Sequence, residues 1–88
     1  MAPDLAVEVL SQSNTKREMQ RKLQEYQDSG VRLVWFVDLE TRSVTVYTRD
    51  GRSTVIPETD ELSGNDVLPE FSLPVAHIFA KLDRLPQE

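Results

Sequence analysis

The chain is 88 residues long with no cysteine, one histidine and a net charge of −5, which leaves room for one domain and excludes a disulfide framework, a thiolate nucleophile and a zinc knuckle. Leu, Ile, Val and Phe supply 25 of the 88 residues, above the level of roughly 20% below which disorder is the default, so one modest core is expected. The acidic balance argues against a stand-alone nucleic-acid binder; an apolar run of at most five and a non-cationic start give no signal peptide or membrane span, and the expectation is a soluble cytoplasmic protein.

A strand is predicted at 4–10. The two-residue period puts Leu5, Val7 and Val9 on one face and Ala6, Glu8 and Leu10 on the other, so Glu8 shares a face with a leucine. Two readings stay open: an edge-strand carboxylate that meets water or a lysine, or a carboxylate with chemistry to perform. Thr15 and Glu18 have capping-box spacing, with Ser13 and Asn14 as rival caps, and a helix is predicted over 15–29. Met19, Leu23 and Tyr26 form its apolar stripe, and Gly30 supplies the left-handed residue that ends it. The strand at 32–38 carries five unbroken apolar residues, Leu33 to Val37, which suits an interior position beside a parallel neighbour. Strand, helix and strand make a βαβ unit with a right-handed crossover.

A β-hairpin is predicted over 43–56, with Asp50-Gly51 as a type I′ turn signal and Pro57 at its end. Residues 57–70 contain Glu58, Asp60, Glu61 and Asp66 without a basic residue, and Ser63-Gly64-Asn65 marks a turn, so an acidic solvated loop is expected. A last helix is predicted at 74–84, with Pro74 in its first turn, an apolar stripe of Val75, Ile78, Phe79 and Leu82, and Pro86 beyond it. His77 lies beside that stripe and, with no second histidine or any cysteine, reads as structural or solvent-facing rather than metal-binding. Residues 14–32 hold Lys16, Arg17, Arg21, Lys22 and Arg32 against Glu18, Glu25 and Asp28, a local excess of positive charge that is either a solvated helix face or a contact for an anion.

Pro3-Asp4-Leu5, Glu8-Val9-Leu10-Ser11, Ser13-Asn14, Arg21-Lys22-Leu23, Tyr26, Gly30-Val31, Trp35-Phe36-Val37-Asp38, Val44-Thr45-Val46-Tyr47 and Leu68-Pro69-Glu70-Phe71-Ser72-Leu73-Pro74-Val75 stand in an order and spacing that resembles the C-terminal half of the Uma-two family of restriction endonucleases, in the PD-(D/E)XK nuclease superfamily. The resemblance implies an α/β fold in which the βαβ unit, the antiparallel hairpin and the C-terminal helix form a truncated restriction-endonuclease-like core, with 1–88 a single partial domain. It implies a Mg²⁺- or Mn²⁺-dependent endonuclease acting on DNA, with Glu8 as catalytic metal ligand. The lysine expected two residues later is replaced by Leu10, and Lys22 on the following helix takes its place by resemblance. Lys22 sits at the margin of the apolar stripe, where a snorkelling lysine also sits.

The resemblance implies a metal-binding aspartate on an upstream strand, which is expected to be missing here, and Gln12 stands where relatives have proline. Asp4 shares a face with Glu8 and is a weak metal candidate, since four residues along a strand is roughly 13 Å and oxygen ligands lie about 2.0–2.6 Å from a cation. Without an upstream strand, the first strand's unguarded apolar edge predicts a homo-oligomer, most simply a two-fold dimer. Three functional classes follow: a nuclease completed by another chain, a nuclease-like module that has lost its chemistry and acts in oligomerisation or protein interaction, and a small anion-binding βαβ domain. The third ranks last because Ser11 to Thr15 contains no glycine.

Overall fold

The computed structural model describes residues 4–11, 13–64 and 68–83; the expectations attached to Pro3, Gln12, Asn65, Asp66 and Pro86 lie outside them. β1 (Leu5–Leu10), α1 (Lys16–Asp28) and β2 (Leu33–Asp38) form the expected unit, with β1 and β2 parallel from Leu5↔Leu33 to Leu10↔Asp38. β3 (Ser43–Thr48) and β4 (Ser53–Pro57) extend the sheet antiparallel, giving the order β1-β2-β3-β4. β2 is interior, and all five residues of its apolar run are buried.

Alternation along β2 divides that run between two cores. Val34 and Phe36 join Ala6, Leu10 and Val31 under the α1 residues Met19, Leu23 and Tyr26. Leu33, Trp35 and Val37 join Val44 and Val46 on the opposite face, beneath α2 (Val75–Asp83), whose Val75 and Phe79 are fully buried. Each large side chain so buried stabilises by roughly 1.5–3 kcal/mol, and a strand flanked on both faces therefore has no polar side to alternate with. The indole N–H of Trp35 lies in the second core without an acceptor among the described residues.

Three sequence expectations change. The acidic stretch 57–70, expected as a solvated loop, has a turn at 58–60 but also contains, among its described residues, β5 (Glu61–Gly64) and the first residues of β6 (Leu68–Pro74), an antiparallel pair that makes a second, two-stranded sheet. Leu62 is the reason, since it is only 1% exposed and packs into the α2-side core opposite Leu73. The hairpin forms, but by a different turn. Gly51 has φ +91° while Asp50 stays out of the left-handed region, and Gly51 N–H bonds to the Thr48 carbonyl at 3.1 Å. This is a type I turn closed by a left-handed glycine, a longer loop than the two-residue type I′. Pro74, expected inside the last helix, instead pairs with Glu61 as the final residue of β6.

Candidate active site

Glu8 reaches its surroundings through two independent local rules. Strand alternation turns it to the α1 side of β1, between the buried Ala6 and Leu10, and leaves Val7 and Val9 half exposed on the other side. Helical spacing puts Lys22 and Tyr26, four residues apart, on the same side of α1. The structure brings the three together: Lys22 Nζ is 3.2 Å from Glu8 Oε1, and the Tyr26 hydroxyl donates to that same oxygen at 3.2 Å.

Both ends of α1 fix this geometry. Thr15 is the N-cap; its hydroxyl accepts from Glu18 N–H at 3.1 Å and donates to Glu18 Oε1 at 3.2 Å, a variant of the expected capping box. Ser13 and Asn14 do not cap the helix, and the Asn14 amide oxygen accepts instead from Ser11 N–H at 2.8 Å. At the other end Gly30, at φ +90°, donates to the Gln27 carbonyl and Val31 donates to the Tyr26 carbonyl, the paired bonds of a Schellman motif. The residue that touches Glu8 through its hydroxyl is thus held at its own carbonyl by the helix terminus.

The electrostatics are those of a half-buried carboxylate with one cation and one phenol. Side-chain exposures of 24% for Glu8 and 38% for Lys22 make this a partly solvated pair, worth roughly 0–1 kcal/mol in the folded state. Burial, then the hydrogen bond to Glu8, raises the Tyr26 pKa, so the phenol keeps its proton and remains a donor. The cluster can hold an anionic oxygen at Lys22 and offer one carboxylate oxygen to a cation.

Asp4 does not join it. Its residue is exposed, its carbonyl accepts from Leu33 N–H at 3.0 Å, and it lies four residues before Glu8, at a bend just ahead of β1. Among the described residues no group of three His, Cys, Asp or Glu side chains could hold a metal. The residues present therefore do not by themselves fit Mg²⁺ or Mn²⁺: one carboxylate beside an ammonium is too few oxygen ligands for either ion. His77 is exposed on α2, on the far side of the sheet from Glu8. Tyr26 is the site residue that sequence reasoning assigned only to packing; the signal available was an apolar ring whose hydroxyl needs a partner once the ring is covered.

The four-stranded sheet, its crossover helix and the second small sheet are similar to the crystal structure of "a putative nuclease belonging to DUF820 from Anabaena variabilis ATCC 29413". The TM-score is 0.76 at 20% identity, over 93% of this chain and 46% of that one, so the chain has a nuclease-like α/β fold and spans about half the length of that neighbour. Residues 1–76 match the Uma2 family, described as "Putative restriction endonuclease", and the chain belongs to that family. No curated protein matches it. No helix among the described residues is long and apolar enough to cross a membrane.

Proposed function

We propose that the chain presents the glutamate–lysine half of a nuclease site for hydrolysing DNA phosphodiester bonds, which becomes Mg²⁺- or Mn²⁺-dependent when a second carboxylate joins Glu8. The observation that supports this is the contact of Lys22 Nζ with Glu8 Oε1 at 3.2 Å. In this reading Glu8 is the metal ligand and Lys22 holds a phosphate oxygen or the attacking water by charge and hydrogen bonding. Asp4, which precedes β1, is outside the cluster; a second copy of this chain would supply the second acid.

Calorimetric titration with Mn²⁺, run on the wild type and on Glu8→Ala, tests the reading. Saturable binding that disappears in the variant is expected, together with metal-dependent nicking of plasmid DNA that is lost in both Glu8→Ala and Lys22→Ala. No saturable heat in the wild type, or the same heat in Glu8→Ala, overturns it.

A second reading, a binding module without chemistry, is favoured by a different observation. β1 is an edge strand of the sheet, and Val7 and Val9 are 50% and 47% exposed. A second copy pairing antiparallel along β1 about a two-fold axis would cover that edge. Sedimentation equilibrium over a wide concentration range distinguishes the outcomes: a concentration-dependent dimer is expected, and a monomer throughout sinks this reading.

A further inference from the structure

Behind the sheet, on the face away from α1, the N-terminal end of β2 and the β3–β4 turn border an open cavity of about 680 Å³. Its floor is apolar, made by Leu33, Val46 and Ile56. Its rim carries Arg32, Arg49 and Arg52 against two acids, Asp50 and Glu61. Both acids are already engaged. Asp50 accepts from the Thr48 hydroxyl and from Arg52 N–H, and sits 3.4 Å from Arg52 Nε, while Glu61 accepts from the Ser72 hydroxyl at 2.6 Å. Arg32 and Arg49 have no ion-pair partner among the described residues. Among the described residues the rim thus sets three guanidinium groups against two carboxylates, one of them paired with Arg52, and keeps a local positive excess in a chain of net charge −5.

We propose that this cavity binds a nucleotide, its phosphate held by Arg32 and Arg49 and its base laid on Ile56, above the buried Leu33 and Val46. Guanidinium groups recognise phosphate oxygens in bidentate fashion and favour them over a point-like anion. An apolar floor adds little for inorganic phosphate but covers one face of a base or sugar. The hydroxyl of Thr54, also on the wall, can serve sugar or phosphate oxygens, whereas that of Thr48 already donates to Asp50. The site is separate from Glu8. Leu33 and Val46 project to the α2 side of the sheet and Glu8 to the α1 side, so a phosphate bound here is not one that Lys22 could reach. The assignment does not depend on the nuclease reading.

The test is an amide chemical-shift titration at low ionic strength with adenosine monophosphate, inorganic phosphate and adenosine. Saturable shifts are expected at Arg32, Leu33 and the Arg49–Arg52 turn, with the monophosphate binding at least about tenfold more tightly than phosphate or adenosine alone. Arg32→Gln/Arg49→Gln should weaken it by at least about tenfold, and Arg49→Gln alone by less. Both variants should keep the wild-type spectrum away from the cavity, because neither arginine is buried. Absence of saturation at millimolar monophosphate, equal affinity in the double variant, or shifts centred on Lys22 and Tyr26 would each overturn the site. Phosphate binding as tightly as the monophosphate would overturn the assignment to a nucleotide.

Discussion

At Glu8 one oxygen takes two donors of different kinds, and the three residues involved differ in how far the sequence reveals them. Alternation along β1 is enough to turn Glu8 toward α1, and helical spacing is enough to put Lys22 at the margin of the packed stripe. Tyr26 is legible only as part of the stripe, because periodicity counts its ring and says nothing of where its hydroxyl points. Its raised pKa makes a prediction. The folded state holds the phenolic proton more tightly than the unfolded chain, whose tyrosine titrates near about 10. That increment of stability is complete below this pH and is lost as pH rises through the folded value. Urea melts from pH 8 to 11 should show stability falling above about pH 10. Tyr26→Phe should flatten that fall and cost about 1 kcal/mol at neutral pH through the lost hydrogen bond. An equal alkaline fall in the variant would assign the effect elsewhere.

Among the elements, α1 is the most fully specified by local chemistry. Thr15 caps it, Gly30 ends it, and the glycine is required by geometry rather than by crowding: φ is +90°, yet a Cβ there would meet nothing within 4 Å. Gly30→Ala should therefore cost about 1–2 kcal/mol, the penalty of a left-handed alanine, with an unchanged denaturant slope. Gly30→Asn should cost less, because asparagine tolerates that conformation. A neutral Gly30→Ala would mean that the terminus relaxes into another cap. β5 is the opposite case. Charge density across 57–70 reads as solvated loop, and only Leu62, one apolar residue between Glu61 and Ser63, betrays a strand whose pairing with β6 is settled by tertiary packing. The β3–β4 turn is intermediate: Asp50-Gly51 announces a hairpin but does not fix its loop length, which the strand register decides.

For the molecule as a whole, the joint between the sheet and α2 depends on a residue that no local pattern marks. Arg42, in the β2–β3 turn at φ +51°, grips Glu58 at 2.6 Å and Asp83 at 3.1 Å and lies 4.8 Å from the centre of the Phe79 ring. Its partners are 16 and 41 residues away in sequence, which is why the sequence shows an ordinary turn arginine. The guanidinium holds the Glu58 carboxyl below the usual glutamate range. The folded state then binds fewer protons there than the unfolded chain does, so this stabilisation is present at neutral pH and is lost as pH falls from the ordinary glutamate range through the lower folded value. Arg42→Gln should lower the melting temperature at pH 7 and make it less sensitive to acid between about pH 5 and 3. Parallel melting curves for wild type and variant down to pH 3 would contradict the assignment.

The edge position of β1 also sets a clock. Leu33 N–H bonds to the Asp4 carbonyl, so by strand parity the backbone groups of Ala6, Glu8 and Leu10 point inward to β2, while those of Leu5, Val7 and Val9 point away from the sheet. In deuterated water the amides of Val7 and Val9 should exchange fast and those of Ala6, Glu8 and Leu10 slowly, an alternation written residue by residue along one strand. Whatever strand comes to lie against β1 would silence the fast members of that series first, so their exchange rates report the arrival of a neighbour before any change in shape or mass is measured.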